Sequence, residues 1–70
     1  MSELINKLIT ERDELQEKLD NLIGFSYSNL FATLDPIQVR LLIIQRHVMG
    51  TYIEILNMRI DTLKETNNVQ

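Results

Sequence analysis

The chain has 70 residues, with 7 Lys plus Arg against 10 Asp plus Glu, a formal net charge of −3, and 44% hydrophobic and 24% charged side chains. That length allows one small domain, and the balance of apolar and charged residues is that of a folding chain rather than a disordered one. With no Cys, a disulfide framework and a Cys-based zinc site are both excluded.

Arg40, Gln45, Arg46 and His47 interrupt the best apolar run, so no stretch approaches the roughly 18 residues of a membrane span. Glu3, Asn6, Lys7 and Glu11 break up any signal peptide. The expected location is therefore the cytoplasm, which the absence of Cys also fits. At about 70 residues a single core rarely supplies more than roughly 3 to 5 kcal/mol. Assembly with other copies is the expected remedy.

The first predicted element is a helix over about residues 3–23. Ile5, Leu8, Arg12, Leu15, Leu19 and Leu22 recur at alternating steps of three and four, the stripe of a helix that packs on helices. Ser2 is placed to cap its start, Glu3 and Glu14 precede Lys7 and Lys18 by four residues, and Gly24 sits where a left-handed C-terminal cap belongs. A loop over residues 24–35 follows. Its Phe25, Tyr27, Leu30 and Phe31 make it too apolar to move freely, and a short helical turn is expected over residues 28–32.

The second long helix begins at Pro36, with Asp35 as N-cap, Gln38 completing a capping box and Leu34 stapling onto Val39. Its apolar pattern runs to about residue 64, with Gly50 the one weak helix former. The single domain spans residues 1–66, and the tail from Glu65, residues 67–70 above all, is expected to fray. At 100° per residue, Ile37, Leu41, Ile44, Val48 and Ile55 share one side, and Leu42, Met49, Ile53, Leu56 and Ile60 share the next. The polar face is Arg40, Arg46, His47, Thr51, Glu54, Asn57 and Asp61. Half the cylinder is apolar, wider than one antiparallel partner covers. The expected fold class is all-α: a two-helix antiparallel hairpin with a structured loop, assembling into a homo-oligomeric helical bundle.

Little in this chain points to catalysis. The lone His47 has no nucleophile spaced for it, and a single surface histidine is ordinarily just solvated. No metal-ligand spacing and no phosphate-cradling glycine loop occurs, so neither metal nor cofactor is expected. Glu11, Asp13, Glu14, Glu17 and Asp20 read as a solvated face. The negative balance argues against duplex nucleic acid. A small phosphorylated ligand is compatible with it, because one or two arginines at a subunit junction hold a phosphate whatever the overall charge.

Two anomalies remain. Arg12 on an apolar stripe must find a carboxylate, a carbonyl, a symmetry mate or an anionic ligand. Gln45, Tyr52 and Arg59 recur every seven residues within the apolar arc, which reads first as a buried hydrogen-bonded layer fixing register and second as a binding wall.

A resemblance adds to this reading. Over residues 8–63, ERDELQEKLDNLIGF followed by a DP-initiated helix with LLIIQRHVMGTYIEILNMRI resembles small phage proteins related to a crAss-like phage product. It is similar to the phage anti-CBASS sponges. The pattern is carried by Lys18, Leu19, Leu22 and Phe25, then by Leu41, Leu42, Gln45, Met49, Tyr52, Ile55, Leu56, Arg59 and Ile60. The resemblance implies a compact helical homohexamer that sequesters cyclic di- or trinucleotide signals between protomers, without cleaving them, in the infected bacterial host.

It further implies a lysine and an aromatic ring at the site. Lys7 is the nearest equivalent of the lysine. No aromatic residue precedes it, so the ring would come from Tyr27 or Phe25. The candidate ligand-binding set is Lys7, Arg12, Tyr27, Arg40 and Arg46 as donors and platform. The rival readings are a helical adaptor that binds and inhibits a host protein, and a purely structural phage component.

Overall fold

A computed structural model describes residues 2–68 and is helical in three pieces: α1 (Ser2–Ser26), α2 (Asn29–Ala32) and α3 (Pro36–Asn68). Helix α1 does not stop at Ile23. Gly24 lies inside it with no left-handed backbone, so the expected glycine cap is replaced by serine chemistry. The Ser26 hydroxyl donates to Ile23 O at 2.6 Å, and the Ser28 hydroxyl donates to Phe25 O at 2.6 Å. Carbonyls left over at a helix end are satisfied locally in this way, with no need for a positive φ.

Ser28 then serves a second helix. Its Oγ accepts from Phe31 N–H at 3.3 Å, making it the N-cap of α2. The expected turn is thus present, and Phe31 stands edge-on to Phe25 with ring centroids 5.8 Å apart. Such edge-to-face pairs hold a connection that would otherwise fluctuate.

Helix α3 starts at Pro36 with Asp35 capping it, and no side-chain bond from Gln38 closes the expected capping box among the described residues. Ile37 N–H donates to Asp35 Oδ1 at 2.8 Å, and Val39 N–H donates to the Asp35 carbonyl at 3.0 Å. It runs on past residue 64 to Asn68, through positions where fraying was expected. The rest of that expected frayed tail, Val69 and Gln70, lies outside the described residues.

Helices α1 and α3 lie antiparallel. Ile5 and Leu8 from the start of α1 form one core cluster with Leu56 and Ile60 from the far half of α3, and Ile9, Leu15 and Leu63 pack against it. Leu56 is completely enclosed. Leu19 and Ile53 are also buried. The inner face of α3 is therefore the Leu42, Met49, Ile53, Leu56 and Ile60 side, on which every residue is buried or half-buried.

The adjacent side is left open. Ile37, Leu41, Ile44, Val48 and Ile55 are all exposed, with Ile37 at 67% and Val48 at 61%. The molecule is a rod of 55 × 15 × 14 Å with a radius of gyration of 16.0 Å, against about 11 Å for a globular chain of this length.

Candidate functional site

The polar features are spread along the rod. At the far end from α2, Lys7 is exposed beside Glu3, 3.8 Å away on the preceding turn. An exposed pair of this kind contributes at most about 1 kcal/mol and leaves the ammonium available. Further along, Arg12 has found its partners inside the chain. Its Nε donates to Asp13 Oδ1 at 3.1 Å, and a terminal nitrogen donates to Asn57 Oδ1 across the helix pair at 3.0 Å. The charge on the core stripe is thus answered by a carboxylate next door and an amide on α3. Asn57, expected on the polar face, is half-buried towards α1 for the same reason.

The heptad-spaced seam is not a buried layer in the single chain. Gln45, Tyr52 and Arg59 are all exposed. Gln45 Nε2 approaches Met49 Sδ at 3.9 Å, and the Tyr52 hydroxyl donates to the Glu11 carboxylate on α1. That bond raises the Tyr52 pKa above its ordinary value, because the carboxylate accepts from the protonated phenol and its charge opposes a phenolate.

Where α2 meets the helix pair, a concavity of about 220 Å³ opens, lined by Leu22, Ser26, Tyr27, Phe31, Leu42, Ile43 and Arg46. Three local decisions build it. The extension of α1 through Gly24 carries Ser26 and Tyr27 over the end of the pair. The Ser28 cap turns the chain so that Phe31 faces inward, and Leu22 and Leu42 form the apolar floor.

Tyr27 is 81% exposed, a ring with an open face, whereas Arg46 is half-buried beside it rather than out on the polar face. An aromatic platform next to a guanidinium, above an apolar floor, suits a flat heteroaromatic group carrying an anion.

Of the five candidate residues, the structure brings Tyr27 and Arg46 into one concavity. Arg40 is exposed on α3, six residues before Arg46. Lys7 and Arg12 lie well away: Lys7 is twenty helical residues from Tyr27 on α1, about 30 Å. Phe31, Leu42 and Ile43 were not among the candidates. No local signal in the sequence marks them, since they join only because α2 folds back.

The family model for Sequestin matches residues 2–62, and the chain belongs to that family. The family's name points to sequestration. No curated protein and no solved structure matches the chain. No cluster of potential metal ligands occurs among the described residues, and no helix there is long and apolar enough to cross a membrane.

Proposed function

We propose that this protein is a phage anti-defence sponge. It binds cyclic di- or trinucleotide second messengers of CBASS-type immunity at junctions between copies and withholds them from their effector without cleaving them. It acts in the cytoplasm of the infected host as a homo-oligomer of helical hairpins, a hexamer by the resemblance of its sequence to the anti-CBASS sponges. The observation that carries the reading is the pairing of the open Tyr27 ring with the half-buried Arg46 over an apolar floor. A cyclic dinucleotide offers the matching chemistry, two π-faces and two phosphates.

The concavity is too small and open to enclose such a guest alone, since ligand pockets run to roughly 300 to 1,000 Å³ and bury most of their occupant. A second copy supplies the missing wall. Lys7 and Arg12, remote from Tyr27 within one chain, then serve from a neighbour.

The test is calorimetry and thermal shift against a panel of cyclic di- and trinucleotides, with the ligand afterwards recovered and chromatographed. Binding with the ligand intact is expected. Tyr27→Ala and Arg46→Ala should each weaken binding by about tenfold or more, since a stacked base or a charge-assisted phosphate contact is worth roughly 1 to 3 kcal/mol. A panel that neither binds nor raises the melting temperature, together with specific capture of a host protein, would favour the adaptor reading, which the open apolar side of α3 also accommodates.

A further inference from the structure

The concavity lies across a joint that the chain leaves unfastened. One wall, with Ser26, Tyr27 and Phe31, comes from the end of α1, the turn after it and α2, and the other, with Leu42, Ile43 and Arg46, comes from α3. We propose that residues 25–34 form a flap, carried by α1 and hinged at Gly24, that moves against α3 and is fastened by a guest spanning Tyr27 and Arg46. The guest rests on the reading given above; the flap is argued from the chain alone.

The hydrogen bonds decide which helix the segment belongs to. Tyr27 N–H donates to Gly24 O at 3.2 Å, Ser28 N–H to Phe25 O at 2.9 Å, Thr33 N–H to Leu30 O at 3.0 Å and Leu34 N–H to Phe31 O at 3.2 Å. The hydroxyls of Ser26, Ser28 and Thr33 each donate to the carbonyl three residues back. The Phe25 and Phe31 rings then hold α2 against the end of α1. Among the described residues no hydrogen bond or ion pair joins residues 25–34 to α3. The change of partner comes at Asp35, whose carboxylate and carbonyl both serve the first turn of α3.

Burial is uneven in the same direction. Ile5, Leu8, Leu19, Ile53, Leu56 and Ile60 are buried, and no residue between Leu19 and Ile53 is buried in the single chain. The two long helices are therefore held together by a core at the far end and more loosely at the concavity. Segments with few buried contacts are the ones that open at low cost in free energy. Gly24 supplies the hinge, because it is the weakest helix former in α1, is exposed, and has nothing within 4 Å of an added Cβ.

The size of the concavity gives the movement a use. At about 220 Å³ it falls short of the roughly 300 Å³ at which ligand pockets begin, and a wall with no bond across it can yield until a flat, charged guest is seated. A base stacked on Tyr27 and a phosphate on Arg46 then supply the cross-ties that the chain lacks. Because such a guest binds both walls only when they are together, its differential affinity shifts the flap to the fastened state.

The absence of Cys allows a test with pairs of introduced cysteines carrying spin labels, diluted into unlabelled protein. Asn29→Cys with Glu54→Cys measures the flap against α3, and Glu17→Cys with Glu54→Cys measures the helix pair itself; all three positions are exposed. In the free protein the flap pair should give a broad distribution of distances and the control pair a narrow one. Cyclic GMP-AMP, cyclic di-AMP and cyclic tri-AMP are added in turn, and a guest that binds should narrow the flap pair to the width of the control. A flap pair as narrow as the control in the free protein would overturn the proposal, and so would a bound guest that leaves it broad. If none of the three binds, the reading of the guest fails, and the comparison in the free protein still decides the flap.

As a second arm, Gly24→Ala should narrow the flap pair in the free protein, because alanine strengthens the last turn of α1. An unchanged width would contradict the hinge.

Discussion

Among the described residues Tyr52 is the one side chain whose ionisation the structure sets apart, and it ties α1 to α3 through Glu11. Because the bond holds the phenol protonated, its contribution to stability is complete below the ordinary tyrosine range and fades as pH rises through the elevated pKa. Glu11→Ala should therefore bring the Tyr52 transition down towards 10.0, as followed by tyrosinate absorbance in a Tyr27→Phe background. An unchanged transition would mean that the Glu11 bond is absent in solution.

Arg12 joins the same two helices through Asn57. Its position on an apolar stripe was plain in the sequence, and so was the need for a partner. Which partner was not, because Asn57 lies 45 residues away and joins it only once the register of α1 on α3 is set. Arg46 is similar. A helical wheel puts it on the polar side, yet Tyr27, from the turn after α1, and Phe31, from α2, turn that patch into a concavity.

Among the elements, the glycines give the sharpest test of the chain's course. Gly24 and Gly50 both lie within helices, with right-handed backbone and nothing within 4 Å of an added Cβ. Gly24→Ala and Gly50→Ala should each stabilise the protein by roughly 0.5 to 1 kcal/mol, measured by denaturant unfolding. A left-handed cap at Gly24 would instead make alanine destabilising.

Removing the cap of α3 with Asp35→Ala should cost about 1 kcal/mol, since the Ile37 N–H loses its acceptor. Leu56→Ala, at the most enclosed position, should cost roughly 2 to 5 kcal/mol. The start of α3 was legible because Asp35 and Pro36 act locally. The end of α1 was not, because Ser26 and Ser28 close it through their own hydroxyls, where glycine was the expected signal. Periodicity revealed both apolar sides of α3 but not which one α1 would take. That choice is made by Ile5 and Leu8, whose partners Leu56 and Ile60 lie in the far half of α3.

At the scale of the whole molecule, the all-helical character was readable from pattern alone, and the spare apolar side followed from counting how much of α3 one partner covers. The rod, with a radius of gyration of 16.0 Å, leaves a side of bare isoleucine, leucine and valine, and an exposed apolar face of this kind marks a contact surface, which the proposed assembly would cover. Assembly and completion of the ligand cradle are, in this account, one event. The direct measurement is the mass of the purified protein in solution by multi-angle light scattering at micromolar concentration. A closed assembly at an even multiple of 8.2 kDa is the predicted result, and a persistent species of 8.2 kDa would contradict the account at its root.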